Sequence, residues 1–493
     1  MAGRAEQPTQ YVFGPLERRG LIGGLRAGQI CLIGLGVAGL VAALSSAFPL
    51  GGLVVLFAAL AAAFLPVAGR HADLWAPITT AFWFRRLTGR RQWRTDACRL
   101  GHVDGEPAWP TLPVHLAGLR LVDVAADASA PPFAAVVDGP TYTAVLAVRP
   151  EAFALCDSAE QARRLAGWGG ILAGVAREGS PISRLQWVER TAPADDGELI
   201  RAARGQLAVP EDHALGQGYL DLLCEAGPAT QAHETFLAVQ VDRRRAARLI
   251  RAAGGGDQGA VAVLRREVAT LISNLAGVDV PVVGLLDSRS LSRAIRLAFD
   301  PGARPGLARR AAVDPGHAGV APAAAWPAVL DEQWGCLRAD DAVHATFWVE
   351  EWPRIPVRPD FLSPLLLGSR STRTVSLTVE SVPPGRAARQ VEAARTADLA
   401  DEELRRRGGF LSSARRRRQA EGVARREEEL ADGHADCRFS GYVTVSAPDL
   451  GALEDACGEV EQLAQQCRLQ LTRLRGQQAE AFTWTLPLCR GLR

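Results

Sequence analysis

The hydrophobic pattern divides the chain sharply. From Ala27 to Gly69 it reads AGQICLIGLGVAGLVAALSSAFPLGGLVVLFAALAAAFLPVAG, with no Asp, Glu or Arg. A spanning helix needs about 20 apolar residues to cross a hydrocarbon core of roughly 30 Å. The run supplies two such lengths, Ile30 to Ala47 and Leu50 to Val67, and Ser45, Ser46, Pro49, Gly51 and Gly52 mark a turn between them. Backbone groups in lipid must be satisfied within the segment, so the pattern predicts a transmembrane helical hairpin over 29–68. Two other readings compete. A cleaved signal peptide would place Arg4, Arg18, Arg19 and Arg26 ahead of an apolar core, but that core is long and a second span follows at once. A buried helical pair in a soluble core is disfavoured by the length of the uncharged stretch.

Downstream the period changes. Tyr142 to Val148 (YTAVLAV) predicts a strand, followed by a helical pattern through Leu165, Trp168, Ile171, Leu172 and Val175 and a return strand Leu185 to Val188. A similar unit starts at Phe236 to Val241 (FLAVQV), with helices over Arg243 to Ala253 and Val261 to Leu275. A third starts at Thr374 to Val379 (TVSLTV), with a helix over Arg386 to Leu404. Strands alternating with helices of this length predict α/β (α+β) sandwich lobes. Toward the end, Tyr442 to Val445 and Leu469 to Leu474 read as strands flanking a helix from Asp449 to Cys467. The predicted organisation is therefore a cytosolic lead at 1–28, the hairpin at 29–68, a basic and aromatic juxtamembrane segment at 69–110, and a first lobe at 111–300. A Pro/Ala/Gly loop or linker at 301–327 and a second lobe at 328–493 complete it. Within the second lobe, 386–432 alternates Arg and Glu around Gly408-Gly409 and predicts a protruding charged helical hairpin.

Inside the apolar run, Gly34-Leu35-Gly36-Val37-Ala38-Gly39 matches the dinucleotide-binding fingerprint. That motif works at a strand-to-helix turn with an acid about 20 positions on, and no acid occurs between Glu17 and Asp73. The glycines, with Ala38, Ala42 and Ala43, instead suit close packing of two helices.

Charge orients the hairpin. The formal net charge is +2, yet residues 1–100 carry 11 Arg against Glu6, Glu17, Asp73 and Asp96. Arg18, Arg19 and Arg26 precede the first span, and Arg70, Arg85, Arg86, Arg90, Arg91 and Arg94 follow the second. The positive-inside rule then predicts a two-pass plasma-membrane protein with both termini cytoplasmic and roughly 420 residues in the cytosol. All basic residues are Arg, in keeping with a high-GC coding sequence, and the nine scattered Cys contain no C-x-x-C pair, in keeping with a reducing compartment.

At the membrane edge, Tyr11, Phe13, Arg18, Arg19 and Arg26 on one side read as interfacial anchors. Trp75, Trp83, Arg85, Arg86, Arg90, Arg91 and Trp93 on the other side do likewise. Aromatics among arginines also suit nucleic acid, as does Arg415-Arg416-Arg417-Arg418 near the tip of the charged hairpin. Those four arginines read either as a solvated helix face or as a docking surface for an acidic partner, nucleic acid or anionic lipid.

Chemistry-bearing motifs are missing from the sequence. There is no phosphate loop, which would need a Lys, no H-E-x-x-H and no G-x-S-x-G elbow. The eight His fall at no metal-ligand spacing. The expectation is a protein with no catalytic residues, no bound metal and no cofactor.

At Tyr11, Phe13, Glu17, Arg18, Arg19 and Gly20, followed by the hairpin, the chain resembles a family of actinobacterial membrane proteins of type IV secretion (conjugation)-like systems. The likeness continues through Tyr142–Pro150, Gly167-Trp168, Arg177-Glu178-Gly179-Ser180-Pro181 and Leu185-Gln186-Trp187-Val188-Glu189-Arg190. In that family the hairpin is similar to a PrgI-like subunit, and the soluble part is similar to the N-terminal region of the conjugation ATPase. The resemblance implies an inner-membrane scaffold that docks a separate motor ATPase in trans, alongside other secretion-system membrane subunits in an oligomeric assembly. The alternatives are a membrane component of a type VII secretion complex, working with an FtsK-like ATPase, and a membrane-tethered nucleic-acid-binding protein.

Overall fold

A single antiparallel sheet organises the protein. The computed structural model describes residues 13, 26–45, 49–65, 71–95, 112–126, 131–149, 153–193, 200, 203–226, 231–314, 318–408 and 414–492. Its strands are β1 (Gln92–Arg94), β2 (Arg120–Val124), β3 (Phe133–Asp138), β4 (Thr141–Val148), β5 (Ile182–Pro193), β6 (Gln231–Asp242), β7 (Val282–Leu285), β8 (Val329–Glu332), β9 (Leu337–Ala339), β10 (Ala342–Glu351), β11 (Thr372–Val382), β12 (Asp436–Ala447) and β13 (Gln470–Arg473). The order along the sheet is β1-β8-β9-β10-β12-β11-β5-β6-β4-β3-β2, with β13 also against β10 and β7 also against β4.

That order is a duplication. Outward from the centre, β5-β6-β4-β3-β2 on one side repeats as β11-β12-β10-β9-β8 on the other, and β7 on β4 repeats as β13 on β10. The equivalent strands β5 and β11 pair antiparallel at the middle, from Arg184↔Glu380 to Thr191↔Arg373, which relates the halves by an approximate two-fold axis through the sheet. The three look-alike strand–helix units of the sequence are therefore parts of two larger repeats. Instead of two separate sandwich lobes, the halves share one continuous sheet, and the fold is mixed α+β.

Alternation decides what covers each face. On one face, Val137, Leu146, Leu185, Leu237 and Val239 pack beneath α4 (Ser158–Ala176), α6 (Ala247–Ala252) and α7 (Gly256–Ala276). In the second half, Val343, Phe347, Val375, Val443 and Val445 pack beneath α10 (Ser363–Leu367) and α13 (Leu450–Gln466) on the same face. Asp157 and Asp449 cap α4 and α13 by accepting from the backbone N–H of Glu160 and Ala452. On the other face, Val136, Val145, Val188, Phe236, Leu337 and Ala339 join the core under α8 (Ser288–Phe299), α14 (Gln478–Thr483) and the C-terminal stretch through Cys489. That stretch crosses the junction between halves: Gln186 donates to Ser376 Oγ and to the Trp484 carbonyl, and accepts from the Cys489 N–H.

The remaining helices are α1 (Ala27–Ser45), α2 (Pro49–Phe64), α3 (Ala72–Leu87), α5 (Ala214–Ala226), α9 (Arg304–Val313), α11 (Pro384–Gly408) and α12 (Ala414–Ala431). The 301–327 stretch, expected as a loop or linker, holds α9, and it buries Leu307, Val320 and Trp326. Pro305 sits in the first turn of α9, where a missing N–H costs nothing.

A buried imidazole on the sheet has both of its nitrogens matched. His344, fully buried, lies between Ser446 Oγ (2.8 Å from Nδ1) and the Phe299 carbonyl (3.0 Å from Nε2). A carbonyl only accepts, so Nε2 carries the proton and Nδ1 accepts from Ser446. Burial pushes its pKa from 6.5 down to about 4 against the smaller opposing effect of the Phe299 carbonyl. The folded state thus holds a neutral imidazole, while the unfolded chain protonates first on acidification. Stability from this group is complete above pH 6.5 and is lost as pH falls toward 4, about 3 kcal/mol in all. His344→Gln is expected to flatten that part of the profile when unfolding free energy is measured between pH 7 and 4. An unchanged slope would contradict the assignment.

Candidate functional site: the junction of helical hairpin and sheet

The α1–α2 hairpin is close-packed through its small residues. A Cβ on Gly36 would lie 2.7 Å from Ala59 Cβ, and one on Gly52 would lie 2.6 Å from Ala43 Cβ. The fingerprint glycines thus lie inside a helix, and Gly36 serves the helix–helix contact. Outside that seam the hairpin shows Leu35, Val41, Leu44, Val54 and Phe57 exposed. Among the described residues one helix, α1, is long and apolar enough to cross a bilayer; α2 is shorter, at 16 residues.

The open end of the hairpin is closed by Gln29. Its Nε2 donates to the Ala63 carbonyl at 2.8 Å, and its Oε1 accepts from the Arg26 N–H. Beside it, α3 passes so near that a Cβ on Gly28 would meet Asp73 Cβ at 2.7 Å.

α3 carries the hairpin onto the sheet. Trp75, Ile78, Phe82 and Arg85 fall at helical spacing on one side of it. Trp75 stacks on Trp334 with ring centroids 5.7 Å apart, and Phe82 meets the same indole edge-on at 5.1 Å. Gly476 lies beneath Trp334 with φ +74°, and a Cβ there would sit 2.5 Å from the indole and 3.0 Å from Ile78, so both backbone angle and space call for glycine. Arg85 locks the contact: its Nε pairs with Glu332 at 3.1 Å and its Nη2 donates to the Gly476 carbonyl at 2.7 Å. Glu332 is buried, and its other oxygen accepts from the Ala479 N–H in the first turn of α14. Burial raises the Glu332 pKa, opposed chiefly by Arg85. After α3, β1 adds to the sheet edge through Gln92↔Asp331, Trp93↔Leu330 and Arg94↔Val329, and Arg91 pairs with Asp331 at 3.4 Å.

Four of the residues read as interfacial anchors make contacts within the protein. Trp75, Arg85, Arg91 and Trp93 turn toward the protein body, because Trp334, Glu332, Asp331 and the core around Leu330 supply aromatic and anionic partners. Trp83, Phe84 and Leu87 remain exposed, with the Arg86 guanidinium 5.0 Å over the Trp83 ring, and Arg90 is exposed as well. Phe13 lies against Trp352, Phe361 and Phe439, apart from the other anchors. Tyr11, Arg18 and Arg19 fall outside the described residues. Arg415, Arg416, Arg417 and Arg418 lie in the first turns of α12, where the backbone alone is described. Trp334, Glu332 and Gly476 escaped the sequence reading: Arg85 and Glu332 stand 247 residues apart, and no local pattern links them.

Elsewhere, Glu234 holds Arg190, Arg293 and Arg304 together and has its pKa lowered to about 2, the three arginines outweighing burial. Glu189 bonds His233 at 3.0 Å. Among the described residues no group of three His, Cys, Asp or Glu could hold a metal ion.

Fold and junction together define a mixed α+β protein in which an N-terminal apolar hairpin is packed firmly onto a duplicated antiparallel sheet. A family model described as "EccE: Putative type VII ESX secretion system translocon, EccE" matches residues 229–349, about a quarter of the chain, from β6 through most of β10. No curated protein matches. The match overturns the type IV secretion and conjugation reading: the matched family belongs to type VII secretion.

The junction yields a prediction. Trp334→Ala removes the ring shared by Trp75 and Phe82 and is expected to cost about 2 kcal/mol of α3 docking. Amide hydrogen exchange over residues 72–87 is then expected to speed up about thirtyfold, with β5 and β11 unchanged. Unaltered protection of α3 would show that Trp334 does not hold it.

Proposed function

We propose that the protein is a membrane-anchored, non-enzymatic structural component of a type VII ESX secretion translocon. The observation that carries the reading is the family-model match over residues 229–349. The hairpin supports the membrane part. Its apolar outer surface has no protein cover among the described residues, and the sequence joining its helices carries no charge, whereas Arg26, Arg85, Arg86, Arg90 and Arg91 flank the apolar run. On this reading both spans cross the bilayer, the arginines lie at the cytoplasmic side and the sheet stands in the cytosol. The exposed Trp83, Phe84 and Leu87, with Arg86, lie at headgroup depth.

The contribution of the chain is then mechanical. Docking of α3 and β1 fixes the sheet relative to the bilayer, so surfaces on the sheet reach neighbouring translocon subunits at a set height and angle. Arg415–Arg418, on the hairpin of α11 and α12, form one candidate contact for an acidic partner subunit.

Purification of the tagged full chain from native membranes in mild detergent tests the reading. Co-recovery of other type VII ESX translocon subunits, with the chain remaining in membranes through alkaline carbonate washing, is expected. Repeated recovery of the chain alone, or its release by carbonate, would contradict it.

A further inference from the structure

An aromatic site on the second half of the sheet is left unused by the junction just described. Trp352, just past β10, comes close to β12 at Gly441, where glycine leaves room: a Cβ there would come within 2.8 Å of its ring and 3.0 Å of Val349. Phe439, also on β12, meets Trp352 edge-on with centroids 5.2 Å apart, and Phe361 stands near α10. Phe439 is exposed, and Trp352 and Phe361 are half-buried. Together they offer three ring surfaces to one aromatic guest, in the offset and edge-on arrangements such rings favour.

The guest is Phe13. Its ring stacks on Trp352 at 5.2 Å and 29°, meets Phe361 edge-on at 5.5 Å and lies 6.2 Å from Phe439. We propose that Trp352, Phe361 and Phe439 form a receptor site for an aromatic side chain of the N-terminal lead, with Phe13 of the same chain as its occupant. On this proposal Phe13 binds the protein body and does not lie in the membrane interface.

Reach allows this. Thirteen peptide steps separate Phe13 from Arg26 at the base of α1, and an extended chain of that length spans up to about 45 Å. The consequence is two attachments flanking one hairpin. Ahead of α1, Phe13 rests on the face covered by α13. Behind α2, α3 is tied through Glu332 to α14, which covers the opposite face. A hairpin held on both sides resists rotation about either attachment, whatever assembly the protein serves.

Photo-crosslinking of the full chain in its native membrane tests the site, with p-benzoylphenylalanine in place of Phe13. The expected adduct lies within one chain, at Trp352, Phe361 or Phe439. It is expected to fall at least tenfold in Trp352→Ala and to persist in Trp352→Phe, with thermal unfolding of both variants compared to the parent as a check on folding. An adduct to lipid would restore the interfacial role of Phe13 and overturn the proposal. So would an adduct to a second copy, seen as a crosslinked dimer, or an adduct undiminished by Trp352→Ala. Co-purifying subunits do not enter this readout, so it stands or falls apart from the secretion reading.

Discussion

Eight residue pairs between β5 and β11 hold the architecture together. Each half presents a sheet with its own helices, and the pairing from Arg184↔Glu380 to Thr191↔Arg373 makes the two into one. Antiparallel pairing of equivalent strands leaves no free edge at the centre, where an exposed ladder would invite association. The side chains reinforce it on both faces. Trp187 and Leu377 share one side, while Gln186 and Ser376 share the other and grip the C-terminal stretch through the Trp484 carbonyl. The last residues of the chain thus seal the seam between the halves, and that seam sets where every outer strand lies.

At the far edge of the second half, the same sheet receives the apolar hairpin. Docking there is polar as well as aromatic. Glu332 is a buried carboxylate whose two oxygens are taken by Arg85 and the Ala479 N–H, and removing either charge from such a pair typically costs 3–5 kcal/mol, on the order of a third of a small domain's stability. Arg85 is tied to Glu332 and to the Gly476 carbonyl, while Trp334 gives Trp75 and Phe82 a shared ring surface. The direction of the hairpin is inherited from the sheet, and through the sheet from the central pairing.

Sequence patterns revealed the parts better than their assembly. The uncharged run at 27–69 and the alternation in Tyr142–Val148 and Thr374–Val379 are local signals, and helices and strands stand near where these fall. The duplication is invisible locally because its pairing strands lie far apart; Gln186 and Ser376 are 190 residues from one another. Proline and glycine at 301–327 suggested a linker, yet Pro305 occupies a helix start and Leu307 and Trp326 have core to fill. In α3, the stripe of Trp75, Phe82 and Arg85 has the same composition whether it meets lipid or protein. The protein contacts of that stripe are with Trp334 and Glu332, some 250 residues away, where no local pattern reveals them. For Phe13, the contacting rings on β12 and near α10 are farther still.

The central claim is that hairpin and sheet move as one body. Spin labels placed through unnatural amino acids at Leu44 on α1 and Leu450 on α13, both exposed, would report it by pulsed electron resonance in lipid nanodiscs. A single narrow distance distribution, broadened when Arg85 and Trp334 are both replaced by alanine, is predicted. A distribution already broad in the parent protein would show that the sheet swings freely on its anchor and would contradict the account.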